Sequence, residues 1–296
     1  MTFIVGCSNA VNLSKKVADI AGIPLAKTEV KNFPDGEMYV RIDERLEDED
    51  VVVIQSGYPN QNNALMELFL TLDAIRDMDP KKVSLMMTYM PYSKQDKRFK
   101  DGEAVSAGTI LKLIKSFKIN NIYAINLHFA KDEKNFDFFN IGIKNINAAP
   151  LVVEYVKRIY GDFITVLPGK GSSHLISEGE VLLLETRRDQ YRASDKEYFG
   201  ESNVIANELK SASGKNVLVL DDMINTGGTM VKVCELLRKN GASKVISAGI
   251  HGLFVGNAAE KLEKAKVDEI ISTDTIENKF SKVSVAPLIA EEIKRL

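Results

Sequence analysis

The sequence predicts an α/β protein of two tandem domains, each a mostly parallel sheet flanked by helices. Three observations carry this expectation. Apolar runs of strand length alternate with segments of helical period. The pattern runs through about twice and breaks near residues 140–149. A chain of 296 residues can also bury two cores of ordinary size. We place the first domain at 1–145 and the second at 146–283, with a final helix at about 284–296 that packs back on the first.

In the first half, strands are expected over 2–5, 51–55, 83–88 and 121–127, and helices over 13–20, 63–77 and 106–116. In the second half, helices are expected over 149–160, 230–240 and 258–264. Strands are expected there over 163–167, 181–184, 217–220, 245–250 and 269–272. Each strand is a short, nearly continuous apolar run, as in a sheet covered on both faces. The helix over 63–77 carries Leu65, Leu68, Phe69, Leu72 and Ile75, a single stripe at the 3.6-residue period. Residues 188–203 are polar and aperiodic, and read either as a lid or long connection or as a β-hairpin insertion.

Composition removes several function classes. With 45% hydrophobic and 27% charged residues and a net charge of −2, the chain has no basic bulk for nucleic acid. No stretch approaches the ~18 apolar residues of a membrane span, and the opening Met-Thr-Phe-Ile-Val lacks the features of a signal peptide. Cys7 and Cys234, the only cysteines, give no disulfide framework, and a cytoplasmic protein is expected.

The densest chemistry lies at 216–231. The apolar run 217–220 is followed by Asp221 and Asp222, then by Asn225, Thr226, Gly227, Gly228 and Thr229, then by a helical segment. A glycine turn between strand and helix gathers backbone N–H groups and the positive end of the helix dipole at one point, which suits a phosphate dianion. The glycines let the backbone approach the anion, and the two threonine hydroxyls add donors. Carboxylates would repel the phosphate, so Asp221 and Asp222 are better placed for the hydroxyls of an attached sugar, or for a metal. The element reads as a sugar-phosphate site.

The first half carries three further constellations. Phe33-Pro34-Asp35-Gly36-Glu37 has hairpin-turn chemistry and presents one aromatic ring and two acids. Tyr92-Ser93-Lys94-Gln95-Asp96-Lys97-Arg98 is a basic turn after a strand. His128 stands at the end of the apolar run 121–127, and no Cys/His spacing suggests zinc.

Together these strings resemble the ribose-phosphate diphosphokinases (phosphoribosyl pyrophosphate synthases), most of all archaeal-type members, from residue 1 to about 290. The stretch 221–229 alone also resembles the phosphate loop of type I phosphoribosyltransferases. The resemblance implies two phosphoribosyltransferase-like domains, the first for ATP and the second for ribose 5-phosphate. It implies transfer of the β,γ-diphosphoryl group of Mg-ATP to the anomeric hydroxyl of ribose 5-phosphate, giving phosphoribosyl pyrophosphate and AMP. Mg²⁺ is the implied cofactor. Phe33, Asp35 and Glu37 would contact adenine in a neighbouring subunit of a homo-oligomer. Lys94, Gln95, Asp96 and His128 would bind ATP, His128 at the metal. Asp221, Asp222 and residues 225–229 would hold ribose 5-phosphate. Arg187 matches the family arginine that neutralises the transferred phosphates, and Arg188 or Lys170, by our own reading and not by the resemblance, would stand in for a loop lysine that this chain lacks.

The chain departs from the family pattern at Lys94 and, with more consequence, in three further places: Gly169, Glu185, and a 171–181 segment about two turns shorter than the family's helix. Lys94 stands where the family has arginine, which keeps the charge but loses the bidentate fork. Gly169 replaces the aspartate that follows the proline of the family's turn, and Glu185 stands where the family's loop has lysine. These departures raise a second reading, a catalytically impaired homologue that regulates or assembles with an active paralogue. A purine phosphoribosyltransferase is a third.

Overall fold

The computed structural model describes residues 1–130, 135–169, 172–176, 180–184, 186–187, 198–199 and 209–296, with 135, 186–187 and 198–199 described in backbone only. The chain divides into two compact units. One comprises residues 1–147, 275–277 and 284–296, the other 148–274 and 278–283.

The first unit begins with β1 (Thr2–Gly6) and α1 (Val11–Ala21), followed by an antiparallel hairpin of β2 (Thr28–Asn32) and β3 (Met38–Ile42). Next come β4 (Asp50–Ser56), α2 (Gln61–Arg76), β5 (Lys82–Tyr89), α3 (Ser106–Ser116), β6 (Asn121–Ile125), β7 (Asn135–Asp137) and β8 (Gly142–Ile146). The sheet order is β1-β4-β5-β6-β8-β7, parallel except for the last pair. Val51 and Val53 of β4 and Val83, Leu85 and Met87 of β5 alternate onto one face of that sheet. There they meet Leu68, Leu72 and Ile75 of α2 and Leu111 and Ile114 of α3. Burying each such side chain contributes roughly 1.5–3 kcal/mol. The helical stripe read from the sequence is therefore the buried face of α2. The C-terminal helix, Ala286–Ile293, packs beside α1. Its Glu292 accepts from Lys144 Nζ of β8 at 2.6 Å. The Ser56 and Thr88 hydroxyls, at the C-terminal ends of β4 and β5, both donate to the Thr275 carbonyl, at 2.7 and 2.9 Å.

The second unit contains α4 (Ala149–Tyr160), β9 (Ile164–Leu167), β10 (Val181–Leu183), and the short antiparallel pair β11 (Thr186–Arg187) and β12 (Tyr198–Phe199). Then follow β13 (Asn216–Ile224), α5 (Gly228–Lys239), β14 (Lys244–Gly252), α6 (Ala258–Lys264), β15 (Glu269–Thr273) and β16 (Ser281–Val283). The sheet is parallel throughout, in the order β10-β9-β13-β14-β15-β16. One face carries Val217 and Val219 under Met230, Val233, Cys234 and Leu237 of α5 and Leu262 of α6.

The α/β class and the parallel sheets agree with the sequence expectation. Two of the finer readings need correction. The strand expected over 217–220 runs on to Ile224, because the ladder to β14 continues from Leu220–Ala248 through Ile224–Gly252. Asp221 and Asp222 therefore lie inside β13 and not beyond its end. The strand expected over 121–127 stops at Ile125, since the parallel pairing with β8 ends at Ile125–Ile146. His128 consequently sits in a turn closed by the Ala130 N–H on the Leu127 carbonyl, 3.0 Å. The backbones of β11, just before residues 188–203, and of β12, within them, pair antiparallel, the arrangement of the hairpin alternative. Residues 188–197, among them Arg188, and 200–208 lie outside the described residues, as do Lys170 and Glu185.

Candidate active site

In the second unit the strand order reverses between β9 and β13. From β9 the chain moves to β10 on one side, and from β13 to β14 on the other. Such a reversal leaves a crevice beyond the C-terminal ends of the two central strands. β9 pairs with β13 only as far as Val219, whereas β14 follows β13 to its end. Residues 220–224 therefore have no ladder partner on the β9 side. Asp221 and Asp222 occupy that one-sided stretch.

The two acids differ. Asp222 is 4% exposed, while Asp221 is half-buried. Asp221 Oδ1 accepts from the Ser172 hydroxyl at 2.6 Å and from the Asp222 backbone N–H at 2.9 Å. Burial and then the neighbouring Asp222 carboxylate push the Asp221 carboxyl up to about 7, and the Ser172 hydrogen bond pulls the other way.

Beyond Ile224 the chain turns through Asn225 and Thr226 into Gly227, which has φ +75°. A left-handed residue at this point favours glycine, and a Cβ there would also press on Ala258 Cβ at 3.3 Å. At Gly228, the first residue of α5, an added Cβ would meet nothing within 4 Å. The cap residue Gly227 has no side chain to spend on the helix donors, and the first helical bond runs from Val231 N–H to the Gly227 carbonyl at 2.9 Å. The N–H groups of the first turn thus precede the helical ladder, as at any helix start. Residues 253–255 brace the turn from behind: the Leu253 and Phe254 N–H groups donate to the Ile224 carbonyl and that of Val255 to the Asn225 carbonyl. Thr226 is exposed and Thr229 is 8% exposed. Asp221, Asp222, Asn225, Thr226, Gly227, Gly228 and Thr229 are thus brought together by one strand–turn–helix. Ser172 was not foreseen. It follows the Pro168-Gly169 turn after β9, and only the strand order, which no local pattern reveals, sets it against Asp221.

The first-unit residues are spread over three connections. Phe33, Asp35 and Glu37 form the exposed tip of the β2–β3 hairpin, where Asp35 accepts from the Glu37 N–H at 3.1 Å. Phe33 is 46% exposed and meets Tyr39 edge-on at a ring-centroid distance of 6.0 Å. Lys94, Gln95 and Asp96 follow β5. Gln95 is tied to the start of α3, its backbone carbonyl accepting from the Ala107 N–H and its Oε1 from the Ser106 hydroxyl, both at 3.2 Å. His128 follows β6, the neighbouring parallel strand, and is half-buried. Among the described residues no three His, Cys, Asp or Glu side chains cluster as a metal cage. No described helix is long and apolar enough to cross a membrane.

Fold and site define a two-domain phosphoribosyltransferase-like α/β protein with a glycine turn into a helix beside paired acids. Residues 2–117 match the family described as the N-terminal domain of ribose phosphate pyrophosphokinase, and residues 205–296 the phosphoribosyl synthetase-associated domain. A ribose-phosphate pyrophosphokinase from Methanothermobacter thermautotrophicus is 35% identical, over 98% of this chain and 99% of its own. That of Pyrococcus furiosus is 37% identical, over 95% and 97%. The crystal structure of phosphoribosylpyrophosphate synthetase from Mycobacterium smegmatis superposes with a TM-score of 0.82 at 26% identity, covering 99% of this chain and 97% of that one. The chain belongs to the ribose-phosphate pyrophosphokinase family. Its relatives carry the enzyme's name across their whole length, and nothing in these comparisons favours the catalytically impaired alternative.

Proposed function

We propose that this chain transfers the β,γ-diphosphoryl group of ATP to the anomeric hydroxyl of ribose 5-phosphate. The sugar oxygen bonds to the β-phosphorus, the bond from that phosphorus to the α-phosphate oxygen breaks, AMP leaves and the hydroxyl proton is lost. The observation that carries this reading is the start of α5. A helix N-terminus whose cap residue supplies no side-chain acceptor lies beside a held carboxylate at a reversal of strand order. Residues 225–229 hold the 5-phosphate, and Asp221 and Asp222 accept from the ribose hydroxyls.

In the first unit Phe33 stacks on the base, Asp35 and Glu37 accept from its exocyclic amine, and Lys94, Gln95, Asp96 and His128 bind the rest of ATP. Arg187 and Arg188 offset the charge of the transferred group, which otherwise repels the 5-phosphate. Mg²⁺ keeps much of its water and uses substrate phosphates, so it needs only one or two protein donors and no closed cage. His128 is the residue proposed beside it, and the ion when bound neutralises phosphate charge. The adenine contact through an exposed hairpin tip fits a homo-oligomer in which Phe33 serves a neighbour. The two buried, unbridged cysteines fit a reducing cytoplasm.

The test is AMP release. The purified chain with ATP, Mg²⁺ and ribose 5-phosphate should release AMP only when both substrates are present, and Asp221→Ala should cut kcat/KM for ribose 5-phosphate by about 100-fold or more. AMP release that does not depend on ribose 5-phosphate would overturn the proposal.

A further inference from the structure

The geometry points to Ser172 as a positioning residue that orients the Asp221 carboxylate toward the ribose hydroxyls, an inference that rests on the sugar-phosphate reading of this turn. Ser172 is 2% exposed, so its hydroxyl is withdrawn from water and its orientation is fixed by what surrounds it. It donates to Asp221 Oδ1 at 2.6 Å, the length of a hydrogen bond to a charged acceptor. The same oxygen accepts the Asp222 N–H at 2.9 Å, so one donor from the connection after β9 and one from β13 itself fix a single carboxylate oxygen. Asp221 Oδ1 is therefore held by two protein donors, and the Asp221 carboxyl is also hydrogen-bonded to the Asp222 side chain.

The need for such a brace follows from the sheet. Asp221 lies two residues beyond the last β9–β13 pair, so on that side no ladder holds the strand. Ser172 comes from the connection leaving β9, where the Ser172 N–H closes a turn on the Gly169 carbonyl at 3.0 Å and the Leu175 N–H closes another on the Ser172 carbonyl at 3.0 Å. The hydroxyl thus reaches across the crevice where the ladder is missing. It also lowers the proton affinity of Asp221, against the effects of burial and of Asp222, and so favours the form that accepts from a sugar hydroxyl. Ser172 touches no reacting atom in this scheme. It acts through Asp221.

A mutant cycle on the full chain tests this, with Ser172→Ala, Asp221→Ala and the double variant assayed by AMP release. Ser172→Ala should lower kcat/KM for ribose 5-phosphate by about tenfold, leave KM for ATP within about twofold, and move the acid limb of the pH profile upward. In the Asp221→Ala background the same change should matter by less than about twofold, because the partner through which it acts is gone. Equal losses in both backgrounds, or equal effects on both substrates, would mark Ser172 as loop packing and overturn the inference. A wild-type chain that releases no AMP would instead sink the proposed function. The cycle would then be read from calorimetric binding of ribose 5-phosphate, with unchanged affinity in Ser172→Ala again counting against the role.

Discussion

The two units share an architecture and differ in how their strands are ordered. In the first unit the parallel strands are laid down in one direction, β1 to β4 to β5 to β6 to β8. In the second the order turns back on itself at β9 and β13. The consequence for function is direct. A one-way sheet offers no central crevice between diverging connections, and the ends of β4 and β5 are already spanned by the Thr275 carbonyl. Its candidate residues accordingly lie on three separate connections. The reversed sheet opens a crevice between two adjacent strands, and its candidate residues come from a single strand–turn–helix plus one serine from the facing loop. The second unit gathers its candidate residues by local backbone geometry, whereas in the first they are side chains carried on separate loops.

The contrast is tested most sharply at two neighbouring glycines. Gly227 is demanded by the fold, because its φ of +75° and the nearness of Ala258 disfavour any side chain. Gly228 is not, since an added Cβ meets open space and valine is no worse a helix former than glycine. Gly228→Val should therefore fold with a melting temperature within about 2 °C of wild type. If the open space is where the 5-phosphate rests, the same variant should lose ribose 5-phosphate affinity by more than about 100-fold. Calorimetry and thermal melting on one sample read both effects. Unimpaired binding would remove the phosphate from this turn.

The same contrast explains what could be read from the sequence. The strand–turn–helix at 216–229 was legible because its signals are local: an apolar run, two acids, a glycine pair and a helical period. The length of β13 was not. Asp221 and Asp222 look like the start of a loop, yet the backbone ladder to β14 ignores side-chain polarity and carries the strand to Ile224. His128 shows the opposite error, an apolar run that outlasts its pairing, since Leu127 is buried by packing while its N–H bonds the Asn145 side chain at 2.8 Å. Ser172 was invisible for a third reason: its partner lies 49 residues away, and nothing near it in the sequence says which strands will be neighbours.

In the first unit, where side chains and not backbone are proposed to bind, a side-chain truncation should act on ligand alone. Phe33 is 46% exposed and meets the Tyr39 ring edge-on at 6.0 Å. Phe33→Ala should cost less than about 1 kcal/mol of stability. If the ring stacks on adenine, KM for ATP should rise about tenfold, with KM for ribose 5-phosphate unchanged. Steady-state kinetics with each substrate varied in turn decides. An equal rise for both would mean that the hairpin supports the protein generally and does not read the base.

The smallest effect separates the units by pH. In the second unit Asp221 is raised from the usual carboxylate range to about 7, chiefly by burial and then by Asp222, so the folded state binds its proton more tightly than the unfolded chain does. The stability this contributes is complete below about pH 4 and is lost as pH rises through 7, where the carboxylate must be charged in a place that resists charge. Asp221→Asn removes the titration while keeping an oxygen that can accept from Ser172 and from the Asp222 N–H. The variant should match wild type near pH 4 and melt roughly 3–6 °C higher at pH 8, measured without ligand. A site shaped for sugar hydroxyls would thus be stabilised by losing the acid that serves them. A melting difference that stays constant from pH 4 to 8 would show that Asp221 carries no such strain, and that the crevice differs less from the first unit's loops than its geometry implies.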